Sequence, residues 1–232
     1  MHELFHTRHD FPDADTLANA LASGVAEDLQ ALIDRHGQAV VAVSGGSTPK
    51  LFFRQLGKSD LNWHKVVITL VDERWVPASH PRSNEKLIRE FLMPGKAANA
   101  HFVGLYSDAT SPDCGLTEIA KSLPPKLDIA ILGMGTDGHT ASFFPGGDNL
   151  ERATDRNNPQ TVISMQAKGA GEARITRTLS ALLQASRLYL HIEGPEKAEV
   201  LRQAFQTGTV HDAPIRCLLH QTSRPLDIFW AP

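Results

Sequence analysis

The chain has 232 residues, 41% of them hydrophobic and 21% charged, with a formal net charge of -3. That length allows a sizeable buried core, and the charge balance gives no global basic field of the kind that attracts nucleic acid. The two cysteines, Cys114 and Cys217, form no CxxC pair and have no plausible ligand set beside them, which argues against a zinc site and fits a reducing compartment.

Residues 1–10 carry acids and no apolar h-region, so they do not read as a signal peptide, and no apolar run approaches membrane-spanning length. The expected address is the cytoplasm, with neither nucleic acid nor membrane as a partner.

Residues from about 15 to 36 predict a helix. Leu17, Leu21, Val25, Leu29, Leu32 and Ile33 recur at helical spacing, and Gly37 is a natural stop. Residues 39–43, all Ala or Val, predict a buried strand running into Ser44-Gly-Gly-Ser-Thr-Pro-Lys50. Thr48 is placed to cap a following helix with Pro49 at its first position. Strand, glycine-rich loop and helix N-terminus in succession make a phosphate cradle of exposed N–H groups. A tight turn capped by Ser or Thr has the same signature, and Walker A spacing is absent.

Residues 66–71 predict a second buried strand, ending in Asp72-Glu-Arg-Trp-Val-Pro77. Charges at that end face the edge where open parallel sheets bind ligands, although a solvated ion cluster would look alike. Ser83 and Asn84 lead into a helix with Leu87, Ile88, Phe91 and Leu92 along one side. A strand over 101–106, a polar turn-rich stretch over 107–114 and a helix over about 116–123 follow.

Residues 129–132 predict a further buried strand, which opens into Gly133, Gly135 and Gly138 with Asp137 and His139 among them. The run Gly133-Met-Gly-Thr-Asp-Gly138 matches G-x-G-x-x-G. The helix and the distant acid that a dinucleotide site needs are missing, so a nicotinamide cofactor is not expected. Of the 11 histidines, His139 stands out by its position just past a buried strand, beside a carboxylate. A carboxylate there can fix the imidazole tautomer and favour its charged form, which suits a general base that later returns its proton. No G-x-S-x-G elbow supports a serine acyl-enzyme.

After Pro145 the sequence reads as loop to about residue 159, then a short strand over 161–165 and a glycine link over 168–171. Segments 146–147 and 169–171 are candidate mobile stretches. Residues 172–185 predict a helix with Arg174 and Arg177 near its start, where cations oppose the dipole and suggest an anion nearby. Residues 187–193 predict a strand, and Gly194-Pro195 opens a helix with Lys197 in its first turn, again the end that disfavours a cation. Residues 225–230 predict a late strand at a sheet edge. Alternating strands and helices place the chain in the α/β class: Rossmann-like, a mostly parallel sheet with helices on both faces, in one domain over residues 1–232.

Four segments jointly resemble the 6-phosphogluconolactonase family, within the wider glucosamine-6-phosphate isomerase/6-phosphogluconolactonase superfamily. They are Val43-Ser-Gly-Gly-Ser-Thr-Pro49, Asp72-Glu-Arg-Trp-Val-Pro77 with Ser83-Asn84, Leu132-Gly-Met-Gly-Thr-Asp-Gly-His-Thr-Ala-Ser-Phe-Phe-Pro145, and Gly194-Pro-Glu-Lys197. The deaminases of the superfamily resemble Asp-Glu-Tyr at the second motif and carry a glutamate just before the proline of the third. Here Arg74 and Phe144 stand at those positions, and a phenyl ring cannot hold a proton.

The resemblance implies hydrolysis of 6-phospho-D-glucono-1,5-lactone to 6-phosphogluconate in the oxidative pentose phosphate pathway, with no metal or organic cofactor. For that reaction His139 is expected as the base and Asp137 as its partner. The phosphate is expected on Gly45, Gly46, Ser47 and Thr48, with Arg74, Arg174 and Lys197 as counter-charges and Asp72 on the sugar hydroxyls. A deaminase-like sugar-phosphate enzyme and a non-catalytic sugar-phosphate sensor are the rival readings, and a monomer or small homo-oligomer is expected.

Overall fold

The computed structural model describes residues 6–232. The first five residues, part of the stretch read above as lacking a leader, lie outside them. The elements in order are β1 (His6–Asp10), α1 (Ala14–His36), β2 (Ala39–Val43), α2 (Lys50–Leu56), β3 (Val66–Leu70), β4 (Asp72–Arg74), α3 (Asn84–Phe91) and β5 (His101–Val103). Then come α4 (Pro112–Ser122), β6 (Ile129–Leu132), α5 (Leu150–Thr154), β7 (Val162–Met165), β8 (Arg174–Arg177), α6 (Leu179–Leu182), β9 (Arg187–Glu193), α7 (Pro195–Ala204), α8 (Arg216–Leu219) and β10 (Leu226–Ala231).

Seven strands form a parallel sheet in the order β1-β10-β9-β6-β2-β3-β5. Its central strands are apolar on both faces because helices cover both. Ala39, Val41 and Val43 of β2 pack with α1, α2 and α3, while Val40 and Ala42 pack on the side of α5, α6, α7 and α8. This is the Rossmann-like α/β arrangement expected. α1 begins at Asp13, whose carboxylate accepts from the Thr16 N–H at 2.7 Å, and ends at Gly37, which takes the left-handed conformation at φ 80.

Chain order reverses about β2: β3 lies on one side of it and β6, formed later, on the other. The loops leaving β2 and β6 therefore diverge at the carboxyl edge and open a crevice, which is where such sheets bind ligands. The Ser44 N–H donates to Ile131 O at 2.9 Å and holds the two strand ends together.

Several expectations are overturned. Residues 172–185 are not one helix: 174–177 are strand β8, and only Leu179–Leu182 are helical. Ile175, Leu179 and Leu182 mimic a helical stripe, but all four β8 side chains are buried, and Thr178 caps the short helix by accepting from the Ala181 N–H. β8 pairs antiparallel with β4 and with β7 in a separate three-stranded sheet. The charged run Asp72–Arg74 is thus itself a strand. The late strand β10 is not at an edge, because β1 pairs with it along Leu226–Trp230. The 145–159 stretch contains helix α5, and α4 starts at Pro112, inside the stretch read as turns. Thr48 does not cap α2; its N-cap is Pro49, without a side-chain bond.

Candidate active site

A cavity of about 270 Å³ opens at the crevice between β2 and β6. The loop after β2, the loop after β6, β4, β8 and the start of α7 all contribute to its wall.

The loop after β6 is built to hold an imidazole. Gly135 N–H donates to His139 O at 2.9 Å, Gly138 N–H to Gly135 O at 3.1 Å, and Thr140 Oγ1 to Gly133 O at 2.8 Å. A Cβ at Gly135 would collide with the His139 ring, so glycine is required there for close approach. His139 Nδ1 meets Asp137 Oδ1 at 2.5 Å, and the same oxygen accepts the His139 N–H at 3.1 Å. Partial burial opposes ionisation of Asp137, but the bond from the His139 ring, its charge and the backbone N–H outweigh it and hold the carboxyl below its usual range. Nδ1 is therefore occupied, and Nε2 remains to exchange a proton. Phe144 lies against the ring with centroids 4.5 Å apart, and the Arg174 guanidinium lies 5.3 Å from the Phe144 centroid. The residue after Thr140, Ala141, carries a positive φ of 51, unusual outside glycine.

The loop after β2 presents Gly45, Gly46, Ser47 and Thr48 to the cavity. Among the described residues none of their four N–H groups donates to an acceptor in the chain. Lys197 reaches in from the first turn of α7, and its Nζ donates to Thr48 Oγ1 at 3.3 Å. Burial lowers the Lys197 pKa, with Glu193 and Glu196 acting in the opposite direction. Gly45 is fixed by its neighbour: a Cβ there would overlap the Asn84 amide, whose Nδ2 donates to Asp72 O at 2.8 Å.

The third wall carries the charged strand. Asp72 is 5% exposed, accepts from Ser142 Oγ at 2.6 Å, and lies 3.7 Å from Arg174 Nη1. Arg174 is also spent on the backbone, donating to Ala170 O at 2.6 Å and to Glu172 O at 3.3 Å. These bonds hold the glycine link of residues 168–171 against the cavity. Arg74 Nη1 donates to the carbonyl of Arg82 at 2.5 Å, while its Nε has no partner among the described residues. Arg177, predicted beside Arg174, faces away: it is 2% exposed and bonds Leu70 O and Thr69 Oγ1. Burial brings its pKa down to about 10.

Arg177 apart, the ten residues assigned to the site from the sequence lie at this one edge, and nine of them line the cavity. Asp137, the tenth, stands behind His139. Sequence reading missed Arg82, Asn84 and His191, which also line it, and Glu73 behind it. Glu73 is fully buried and accepts the N–H groups of Arg74, Asn84 and Glu85 and the Ser83 hydroxyl. Desolvation raises its pKa to about 6 against those bonds. Signals for Asn84 and Glu73 were present in the Ser-Asn pair that opens α3 and in the charged run Asp72–Arg74; no local pattern marks Arg82 or His191.

The family profile described as glucosamine-6-phosphate isomerases/6-phosphogluconolactonase matches residues 12–230. The chain belongs to this family. Among curated members, the 6-phosphogluconolactonase of Rhizobium meliloti (strain 1021) is 50% identical over 227 residues, covering 97% of this chain and 98% of its own. That of Mesorhizobium japonicum is 45% identical over 225 residues, covering 96% and 94%. A crystal structure of a 6-phosphogluconolactonase from Shewanella baltica OS155 superposes with a TM-score of 0.95 at 40% identity, covering 98% of both chains. The family spans two reactions on phosphorylated sugars, and the wall beside His139 bears on which one this site suits. An apolar ring, not a carboxylate, packs on the imidazole.

Proposed function

We propose that this protein hydrolyses 6-phospho-D-glucono-1,5-lactone to 6-phospho-D-gluconate, the second step of the oxidative pentose phosphate pathway. The observation that carries this reading is that the Asp137–His139 pair opens into the same cavity as the unengaged N–H groups of residues 45–48 and Lys197. A base and an anion cradle facing one space suit a substrate with an acyl carbon at one end and a phosphate at the other. Full-length similarity to curated 6-phosphogluconolactonases supports the same choice.

In the proposed mechanism, water attacks the lactone carbonyl while His139 Nε2 takes its proton. Asp137, bonded to Nδ1, steadies the imidazolium that forms. The tetrahedral oxyanion is met by backbone N–H groups or by a nearby cation such as Arg74, which lines the cavity. The carbon–oxygen bond to the ring then breaks, and the imidazolium protonates the departing ring oxygen. The phosphate lies on residues 45–48 with Lys197. Arg174, already bonded to two carbonyls and near Asp72, holds the wall more than it binds the anion. Asp72 is placed for sugar hydroxyls. No step uses a metal or an organic cofactor. The whole chain acts as one catalytic unit.

The test is acid release from freshly made 6-phosphogluconolactone alongside ammonia release from glucosamine 6-phosphate. Acid release well above the spontaneous rate, without ammonia, is expected. Ammonia release would replace this reading with the deaminase, and binding with neither product would leave a sugar-phosphate sensor.

A further inference from the structure

Glu73 and Asn84 are buried polar residues beside the cavity with no part in the proposed mechanism. A carboxylate out of water costs free energy unless its oxygens are bonded, and Glu73 has four donors. Its Oε1 accepts from the Arg74 N–H at 2.8 Å and the Asn84 N–H at 2.7 Å. Its Oε2 accepts from the Glu85 N–H at 2.8 Å and from Ser83 Oγ at 3.1 Å. The Ser83 hydroxyl in turn caps α3 by accepting the Lys86 N–H at 3.2 Å. One side chain on β4 therefore fixes the first turn of α3, whose N–H groups and dipole favour an anion.

Asn84, the first residue of α3, is the side chain that this junction aims. It is 1% exposed, and its Nδ2 donates to Asp72 O at 2.8 Å. That bond sets which way round the amide lies. It leaves Oδ1 against Gly45 of the loop after β2, with no donor among the described residues. The amide fills the space that a Cβ at residue 45 would occupy. Gly45 does not take the left-handed conformation, so the amide and not the backbone demands glycine there. A buried acceptor without a donor is unfavourable, and an apolar side chain would fill the same space without that penalty. What singles Asn84 out is thus its pair of contacts, one on β4 and one on the loop.

We propose that Asn84 is a positioning residue for the phosphate loop: Glu73 anchors its backbone, Asp72 O anchors its amide, and the amide, set against Gly45, keeps the N–H groups of residues 45–48 turned to the cavity. This rests on the reading of residues 45–48 and Lys197 as the phosphate site. From behind the loop, Asn84 sets preference for a phosphorylated over a plain lactone. Asp72 keeps its place without Asn84, because its ladder to Thr176 and its bond from Ser142 Oγ also hold it. Loss of the amide is therefore felt in affinity for the phosphate end and not in the chemical step.

The experiment compares KM and kcat on 6-phosphogluconolactone and on unphosphorylated glucono-1,5-lactone for Asn84→Ala, Gly45→Ala, their double variant, Glu73→Gln and Lys197→Ala. Asn84→Ala is expected to raise KM for the phosphorylated lactone about 10-fold, with kcat and KM for the plain lactone changed less than about threefold. Glu73→Gln, which sets an amide NH2 against the backbone donors, should shift KM in the same direction. In the double variant the new methyl group falls where the amide was. Its KM for the phosphorylated lactone should lie below that of either single variant, a coupling that two independent losses do not give.

If Lys197→Ala raises KM for the phosphorylated lactone while Asn84→Ala does not, the positioning role is overturned and the phosphate site stands. Additive effects in the double variant, or an equal rise in KM on both lactones, overturn the role as well. If Lys197→Ala leaves the preference unchanged, the phosphate site itself is wrong and the positioning role falls with it. Asn84→Ala keeps the backbone N–H bonded to Glu73. Should it still fail to fold, Gly45→Ala decides alone: it must raise KM on the phosphorylated lactone only, and an equal rise on both overturns the role.

Discussion

At the scale of single residues, the site divides into groups free to act and groups already spent. In the proposed mechanism His139 keeps Nε2 for chemistry because Asp137 takes Nδ1. Asp137→Asn should lower kcat, since an amide steadies the imidazolium less and accepts the Nδ1 proton less strongly; unchanged kcat would remove Asp137 from the mechanism. Glu73 makes the clearest pH prediction. Its pKa is raised by burial from 4.5 to about 6, so the folded state holds its proton more tightly than the unfolded chain. Its contribution to stability is therefore full below about pH 4.5 and is lost as pH rises through about 6, a change on the order of 2 kcal/mol. Denaturant melts of the parent and Glu73→Gln across that range should show this component in the parent alone. Parallel profiles for the two would contradict it.

At the scale of elements, the two glycine loops are shaped by single contacts. Gly135→Ala forces the Cβ onto the His139 ring, and Gly45→Ala forces it onto the Asn84 amide. The first should cut kcat and the second should raise KM for the phosphorylated lactone, as measured by steady-state kinetics; the reverse pattern would mean that the roles of the two loops are exchanged. These loops were legible in the sequence because each follows a buried strand directly, and local chain order alone puts Asp137, His139 and residues 45–48 at one edge. β8 was not legible. Its partners β4 and β7 are remote in sequence, and Ile175, Leu179 and Leu182 fall at helical spacing by coincidence. Losing that helix also removed the dipole argument for Arg174, whose guanidinium instead bonds carbonyls of the neighbouring link. Arg82 and His191 escaped notice, and Glu73 was seen only as part of the charged run, because the fold alone decides which way their side chains face.

At the scale of the molecule, the parallel sheet supplies the crevice and the small antiparallel sheet supplies one wall of it. Arg177 joins the two, running from β8 to Leu70 O and Thr69 Oγ1 of β3. Arg177→Ala would leave those acceptors unpaired in a buried space, at a cost of roughly 3 kcal/mol. That corresponds to a fall in Tm of about 6–12 °C for a chain of this size. A Tm within about 2 °C of the parent would show that the sheets are held by other contacts.

The central claim is that this assembled edge hydrolyses a phosphorylated sugar lactone with His139 as the base. It is tested most directly by pH-stat measurement of acid release from freshly generated 6-phosphogluconolactone, with the parent protein and His139→Ala run in parallel against the spontaneous rate. Rapid acid release by the parent is expected, with a kcat lower by about 10²–10⁴ in the variant and its fold intact. Acid release no faster than the spontaneous background with the parent, or near-parental turnover by His139→Ala, would contradict it.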